Sequence, residues 1–279
     1  MRGEFVDVAG SWLYYYAAGT RGAGEPMVFL HGFPASSHLW QGVVRELSVC
    51  APGHRMVVVD LLGFGRSDRP LGAALTATAH AQRVRALMDE LQIDAACLVG
   101  HAMGGGVAQA VACAWPDRVT RLCLVDSVAF DAWPRRAARL ARWLASAAPL
   151  GRRLGAPLLA SLAHGSLLAG YASAEAGRHS LDHYLHAFTN HLGVDALVAQ
   201  LRAMRDPTVP ALGPRLAGIR QPTAIVWGRL DPFLDVSVGE RLCDAIPGAT
   251  LEVIRDARHF TPEDAPERVA RVIGELLVR

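Results

Sequence analysis

The chain has no lysine: all 28 of its basic residues are arginine. A Schiff base and a phosphate-cradling Walker loop both need a lysine amine, so amine catalysis and nucleotide hydrolysis of that kind are excluded. Cysteine is sparse as well. Cys50, Cys97, Cys113, Cys123 and Cys243 are odd in number and never spaced Cys-x-x-Cys, which speaks against a disulfide framework and against a zinc site. They read as free thiols in a reducing cytoplasm. Long hydrophobic runs are missing too: "MRGEFVDVAG" carries no stretch that would serve as a signal peptide, and "APLLASLAHGSLLAGY" is interrupted by His164 and Gly165 before it could span a bilayer. Nor does one sign of charge dominate. A net charge of +2 provides no dense basic footprint for nucleic acid, the nearest approach being "RRAARLAR" at 135–142. With Leu140, Trp143 and Leu144 opposite, the longer arginine run at 135–153 reads as an amphipathic helix, membrane docking being the weaker alternative. The expectation is a cytoplasmic protein with a small-molecule substrate and neither nucleic acid nor membrane as partner, either a monomer or a homodimer.

What is present is apolar residues in a regular rhythm. Of the 279 residues 51% are hydrophobic, enough for one sizeable core with an insertion. The runs "MVFL" at 27, "RMVVVD" at 55, "ACLVG" at 96, "LCLVD" at 122, "TAIVW" at 223 and "TLEVI" at 250 alternate with helical patterns. They read as strands of a mostly parallel sheet covered by helices on both faces. "EFVDV" and "SWLYYYAA", joined at Gly10, read as an antiparallel hairpin. A helix is predicted from about Thr78 to Leu91, with Val84, Leu87, Met88 and Leu91 on one stripe. Between about 130 and 215 only helical periodicity remains. The domain reading is therefore an α/β core over 1–129 and 216–279, interrupted after the sixth strand by a helical cap over 130–215. Insertions of this kind commonly cover the C-terminal ends of the strands, where open α/β sheets bind ligands.

Four loops carry the chemistry. In "LVGHAMGGGVAQ" an apolar strand runs through Gly100 into a helix at about Gly104, and Gly100, Ala102 and Gly104 fill the Gly-x-nucleophile-x-Gly pattern of a strained strand-to-helix turn. "LHGFP" leaves its strand with a glycine turn that would aim the backbone N–H of Phe33 at the same point as that of Met103, a pair suited to an oxyanion hole. Asp231 in "WGRLDPFLD" and His259 in "RDARHFTPED" each follow an apolar strand. Together they supply a carboxylate to orient an imidazole and an imidazole to move a proton. His101 beside the turn reads as packing beneath it. Asp126, at the end of the preceding strand, is a rival acid. His31 and Asp60 read as turn-stabilising, His31 being near enough to count among the substrate-binding candidates. His179, His183 and His186 share a helix face, read as solvated cap surface rather than as a metal site.

The series "HGFP", "DLLGFGRSDRP", "GHAMGG", "WGRLDPF" and "ARHFTPEDAPE" resembles the α/β-hydrolase superfamily from about residue 5 to the end. The resemblance implies an eight-stranded sheet with a helical cap, Asp231 and His259 as two triad members, a nucleophile at 102, and no metal or organic cofactor. The chain departs from it at the nucleophile, where Ala102 stands. The favoured reading is a hydrolase of esters, thioesters or lactones whose serine has been replaced, as by engineering, with alanine. Two alternatives stay open. An aspartate at 102 would turn the resemblance toward epoxide hydrolases and haloalkane dehalogenases, with Tyr171 and Tyr184 as cap phenols. A chain without any nucleophile would use the Asp231–His259 pair as the general base of a lyase or cyclase, or would only bind a ligand. A cap rich in Leu, Ala and Trp, with Phe130, Trp133 and Trp143 as candidate lining, predicts a neutral, fairly hydrophobic substrate.

Overall fold

The computed structural model describes residues 3–20, 24–132, 164–186, 188, 191–203 and 207–279. Trp133, Trp143 and the arginine-rich run at 135–142 lie outside the described residues.

Eight strands form one sheet: β1 (Gly3–Val8), β2 (Ser11–Ala18), β3 (Met27–Leu30), β4 (Met56–Val59), β5 (Ala96–His101), β6 (Val119–Val125), β7 (Thr223–Gly228) and β8 (Thr250–Ile254). Their spatial order is β1-β2-β4-β3-β5-β6-β7-β8. The β1–β2 and β2–β4 pairings are antiparallel and the others parallel. β3, β4, β5 and β7 are buried along their whole length, the pattern of strands covered on both faces, which is why they appear in the sequence as unbroken apolar runs. β6 starts three residues before its apolar core. Thr120 and Arg121 are partly exposed, and Arg121 pairs with Glu25, so hydrophobicity alone could not mark that start.

α1 (Gln41–Cys50) packs with α9 (Pro266–Leu277), and α2 (Ala77–Glu90) with α3 (Met103–Ala114); α7 (Ser237–Ala245) lies along β7 and β8. α2 opens where Thr76 accepts the Ala79 N–H at 3.2 Å, and its Val84, Leu87 and Met88 are buried, as the stripe predicts. Between β6 and β7 the described chain is helical: α4 (Ala174–His186), α5 (His191–Ala203) and α6 (Thr208–Leu212), with short 3₁₀ turns. The sheet is thus mostly parallel, with a helical insertion after the sixth strand. The residues leaving β3, β5, β6, β7 and β8 emerge at one edge, where the candidate site lies. Among the described residues no helix is long and apolar enough to cross a membrane.

Candidate active site

Ala102 is the junction between β5 and α3, at φ 48° and ψ −114°. This left-handed turn is held on every side. The Ala102 N–H donates to the Val125 carbonyl at 3.0 Å, and the Ala102 carbonyl accepts the N–H groups of Gly105 and Val128 at 3.0 and 3.1 Å. The flanking glycines are steric requirements: a Cβ on Gly100 would lie 2.5 Å from the Gly104 carbonyl oxygen, and one on Gly104 would lie 2.3 Å from that of Leu30. The turn after β3 passes directly over this point, since a Cβ on Gly32 would approach the Ala102 methyl to 2.7 Å. Phe33 follows Gly32, half-buried, and Met103 opens α3 directly after Ala102, so the two expected oxyanion donors each adjoin a residue at the close approach of Gly32 to Ala102.

His259 and Asp231 meet. Imidazole Nδ1 lies 2.7 Å from Asp231 Oδ2, and both side chains are almost wholly buried. An ionised carboxylate can only accept, so Nδ1 carries the proton and Nε2 is left as the basic nitrogen. Asp231 Oδ1 accepts the N–H groups of Phe233 and Leu234 at 2.7 and 3.0 Å, which fixes the carboxylate in its turn. From the other side, His101 Nε2 lies 2.8 Å from the His259 carbonyl oxygen, and the two rings are 5.0 Å apart. That oxygen accepts only, so His101 is protonated at Nε2. Burial, and next the His259 ring, hold His101 well below the usual imidazole pKa and therefore neutral. The residue beside the elbow thus sets the backbone of the residue that bears the base.

Asp126, the rival acid, is fully buried at φ 42° and accepts the Gly228 N–H at 2.7 Å. Burial and the neighbouring Asp231 push its pKa well above the usual carboxylate range. Of the two neighbouring carboxyls, Asp231 is the one hydrogen-bonded to the His259 imidazole.

A match to the family model described as "alpha/beta hydrolase fold" extends over residues 25–266. The chain belongs to the alpha/beta hydrolase fold family. It is 30% identical to a 2-hydroxy-6-oxononadienedioate/2-hydroxy-6-oxononatrienedioate hydrolase of Paraburkholderia phymatum, over 92% of this chain and 88% of that protein. Among solved structures it resembles a thermophilic esterase from Thermogutta terrifontis, with TM-score 0.78, 27% identity, and coverage of 100% of this chain and 98% of that one. It also resembles an alpha/beta hydrolase fold protein from Burkholderia ambifaria, with TM-score 0.83, 26% identity, and coverage of 98% and 99%.

In this alpha/beta hydrolase fold chain the loop bearing His259 is fastened to the cap. The hydroxyls of Tyr171, Ser180 and Tyr184 all donate to Glu263, in the short helix α8 (Thr261–Asp264), at 2.7, 2.7 and 3.0 Å. Asp264 accepts the N–H groups of Ala172 and Arg258, and the Phe260 N–H donates to the Gly170 carbonyl at 3.1 Å. The two cap tyrosines considered as phenolic acids therefore have their hydroxyls on Glu263, and Tyr171 also stacks on Phe260 with ring centroids 4.2 Å apart. Nothing in the sequence marked this fastening, because Tyr171 and Glu263 are 92 residues apart.

The remaining candidates are placed as follows. His31 is buried, with Nε2 accepting the Leu61 N–H at 3.0 Å, and Asp60 accepts the N–H groups of Ser37 and Arg66, so both organise turns. Phe130 lies beneath the Arg241 guanidinium, 4.3 Å from its ring centroid. Among the described residues no group of three His, Cys, Asp or Glu is arranged to hold a metal, and this includes His179, His183 and His186.

Proposed function

We propose that this chain hydrolyses a small carbonyl compound without a protein nucleophile. His259, oriented and charge-stabilised by Asp231, takes a proton from water at Nε2, and that water attacks the substrate carbonyl directly. The backbone N–H groups of Phe33 and Met103 receive the developing oxyanion. The proton then passes from His259 to the leaving group, so no acyl-enzyme forms. The observation carrying this reading is the buried 2.7 Å His259–Asp231 hydrogen bond beside an elbow whose tip is a methyl group. The substrate class follows the relatives: an ester or lactone, or an unsaturated oxo acid of the kind named for the Paraburkholderia phymatum hydrolase.

A second reading rests on the strain at Ala102. A turn at φ 48° is costly for a residue with a Cβ, and the cost has a use when the side chain there reacts. On that reading a serine or aspartate belongs at 102 and the present chain is silent.

Kinetics separate the two. The chain as it stands, its Ala102→Ser, Ala102→Asp, His259→Ala and Asp231→Asn variants are compared on p-nitrophenyl esters, an aryl lactone, a 2-hydroxy-6-oxo-dienoate and an aryl epoxide. Direct water attack predicts turnover by the parent with no burst, reduced about 10²- to 10⁴-fold by His259→Ala. Silence of the parent on every substrate, with turnover and a burst in Ala102→Ser, establishes the replaced-serine reading instead. Epoxide opening gained only in Ala102→Asp establishes the aspartate branch.

A further inference from the structure

A cavity of about 800 Å³ opens between the cap and the antiparallel side of the sheet. Neither Ala102, Asp231 nor His259 lines it. Its walls come from β2, from the residues after the Phe33 turn, from the loop at 60–69 and from α4 of the cap. The lining thus shares none of these three residues, and the reading of the cavity does not rest on how they act.

Its charges are uneven. Arg66 and Arg69 both line it, as do two carboxylates, Asp60 and Asp182. Asp60 is fixed in place, Oδ1 accepting the Ser37 N–H at 2.6 Å and Oδ2 the Arg66 N–H at 2.8 Å, with its charge also felt by Arg69. Asp182 is turned to solvent, its side chain 78% exposed, and pairs with His164. The His38 imidazole adds no positive charge of its own at neutral pH. His38 and His183 stack with ring centroids 4.5 Å apart, one from the core and one from the cap, and burial together with His183 pushes the His38 pKa down to about 4. Arg66 lies over the Tyr14 ring at 5.0 Å, which holds its guanidinium against an aromatic wall. What faces the space is a pair of guanidinium groups, with two carboxylates at its walls and flat rings around it. The volume lies within the range of drug-sized ligand sites and far exceeds what a bare inorganic ion needs.

We propose that this cavity binds a small aromatic or planar organic carboxylate, its anionic end met by Arg66 and Arg69 and its body lying against Tyr14, Tyr16 and the His38–His183 pair. Guanidinium groups suit a carboxylate because their donors match its planar geometry, and a neutral analogue of the same shape forfeits that match.

The test is calorimetric titration of the full chain at pH 7 with benzoate, with benzamide as the neutral isostere and with inorganic phosphate. Benzoate is expected to bind at least tenfold more tightly than either. Arg66→Gln and Arg69→Gln should each weaken benzoate at least fivefold, while His259→Ala leaves it unchanged. Arg66 is exposed, so its variant should keep the parent's unfolding midpoint and give a readout even if Arg69→Gln does not fold. Four results would each overturn the proposal: no benzoate binding at millimolar concentration, equal binding of benzamide, phosphate binding as tightly as benzoate, or full benzoate affinity in Arg66→Gln. Loss of benzoate binding in His259→Ala would overturn it too, by moving the ligand to the hydrolytic site.

Discussion

Ala102 has the backbone of a residue that presents a side chain and has almost no side chain to present. Holding an alanine at φ 48° costs on the order of 1 kcal/mol or more, while glycine occupies such conformations freely but loses more entropy on folding. Ala102→Gly is accordingly expected to stabilise the protein by a net of about 0.5 kcal/mol in urea unfolding; a destabilised variant would show that the turn is relaxed as it stands. At this scale the meeting of Asp231 with His259 was legible. The glycines around 102 report their own steric need, and Asp231 and His259 each announce themselves by following an apolar strand. Which of Asp126 and Asp231 meets the imidazole was not legible. Both follow strands and both are acids with buried side chains, and what separates them is proximity to His259, which only the folded chain creates.

Among the elements, α8 has an importance out of proportion to its four residues. Glu263 takes three hydroxyls from the cap side, and hydrogen bonds to a charged group contribute about 1.5–3 kcal/mol each when intact. Glu263→Ala should destabilise the protein by about 2–4 kcal/mol and speed hydrogen exchange in α4, whereas Glu263→Gln, which keeps an acceptor oxygen, should lose about half as much. Unaltered stability and exchange in Glu263→Ala would mean that the three hydroxyls do not hold the cap. The strands were readable because parallel strands buried on both faces leave continuous apolar runs, as "MVFL" and "TAIVW" do. The cap-to-loop fastening left no such trace. A single acid in "TPED" looks like any first-turn glutamate, and its partners lie 79 to 92 residues away in the chain.

The whole molecule carries several imidazoles that the fold keeps neutral. His80 is the extreme case: fully buried, with neither ring nitrogen bonded among the described residues, its pKa is lowered to about 3 by burial and next by Arg83. In the unfolded chain the same group titrates near its ordinary value of about 6.5. As pH falls below that value the unfolded chain gains a proton that the folded chain refuses, so folding loses free energy, by up to about 1.4 kcal/mol per pH unit for this one group. His80→Leu should remove that share of the slope. The stability of the variant relative to the parent should rise as pH drops from 7 to 5 and level off above 7, as measured by denaturant unfolding at each pH; parallel curves for the two proteins would exclude the effect. Tyr184 draws the scales together, since it faces the arginine-lined cavity and also donates to Glu263, four positions beyond His259. Lid and base are moored to the same post. Any displacement of α4 must either break the Tyr184–Glu263 hydrogen bond or carry α8 along with it.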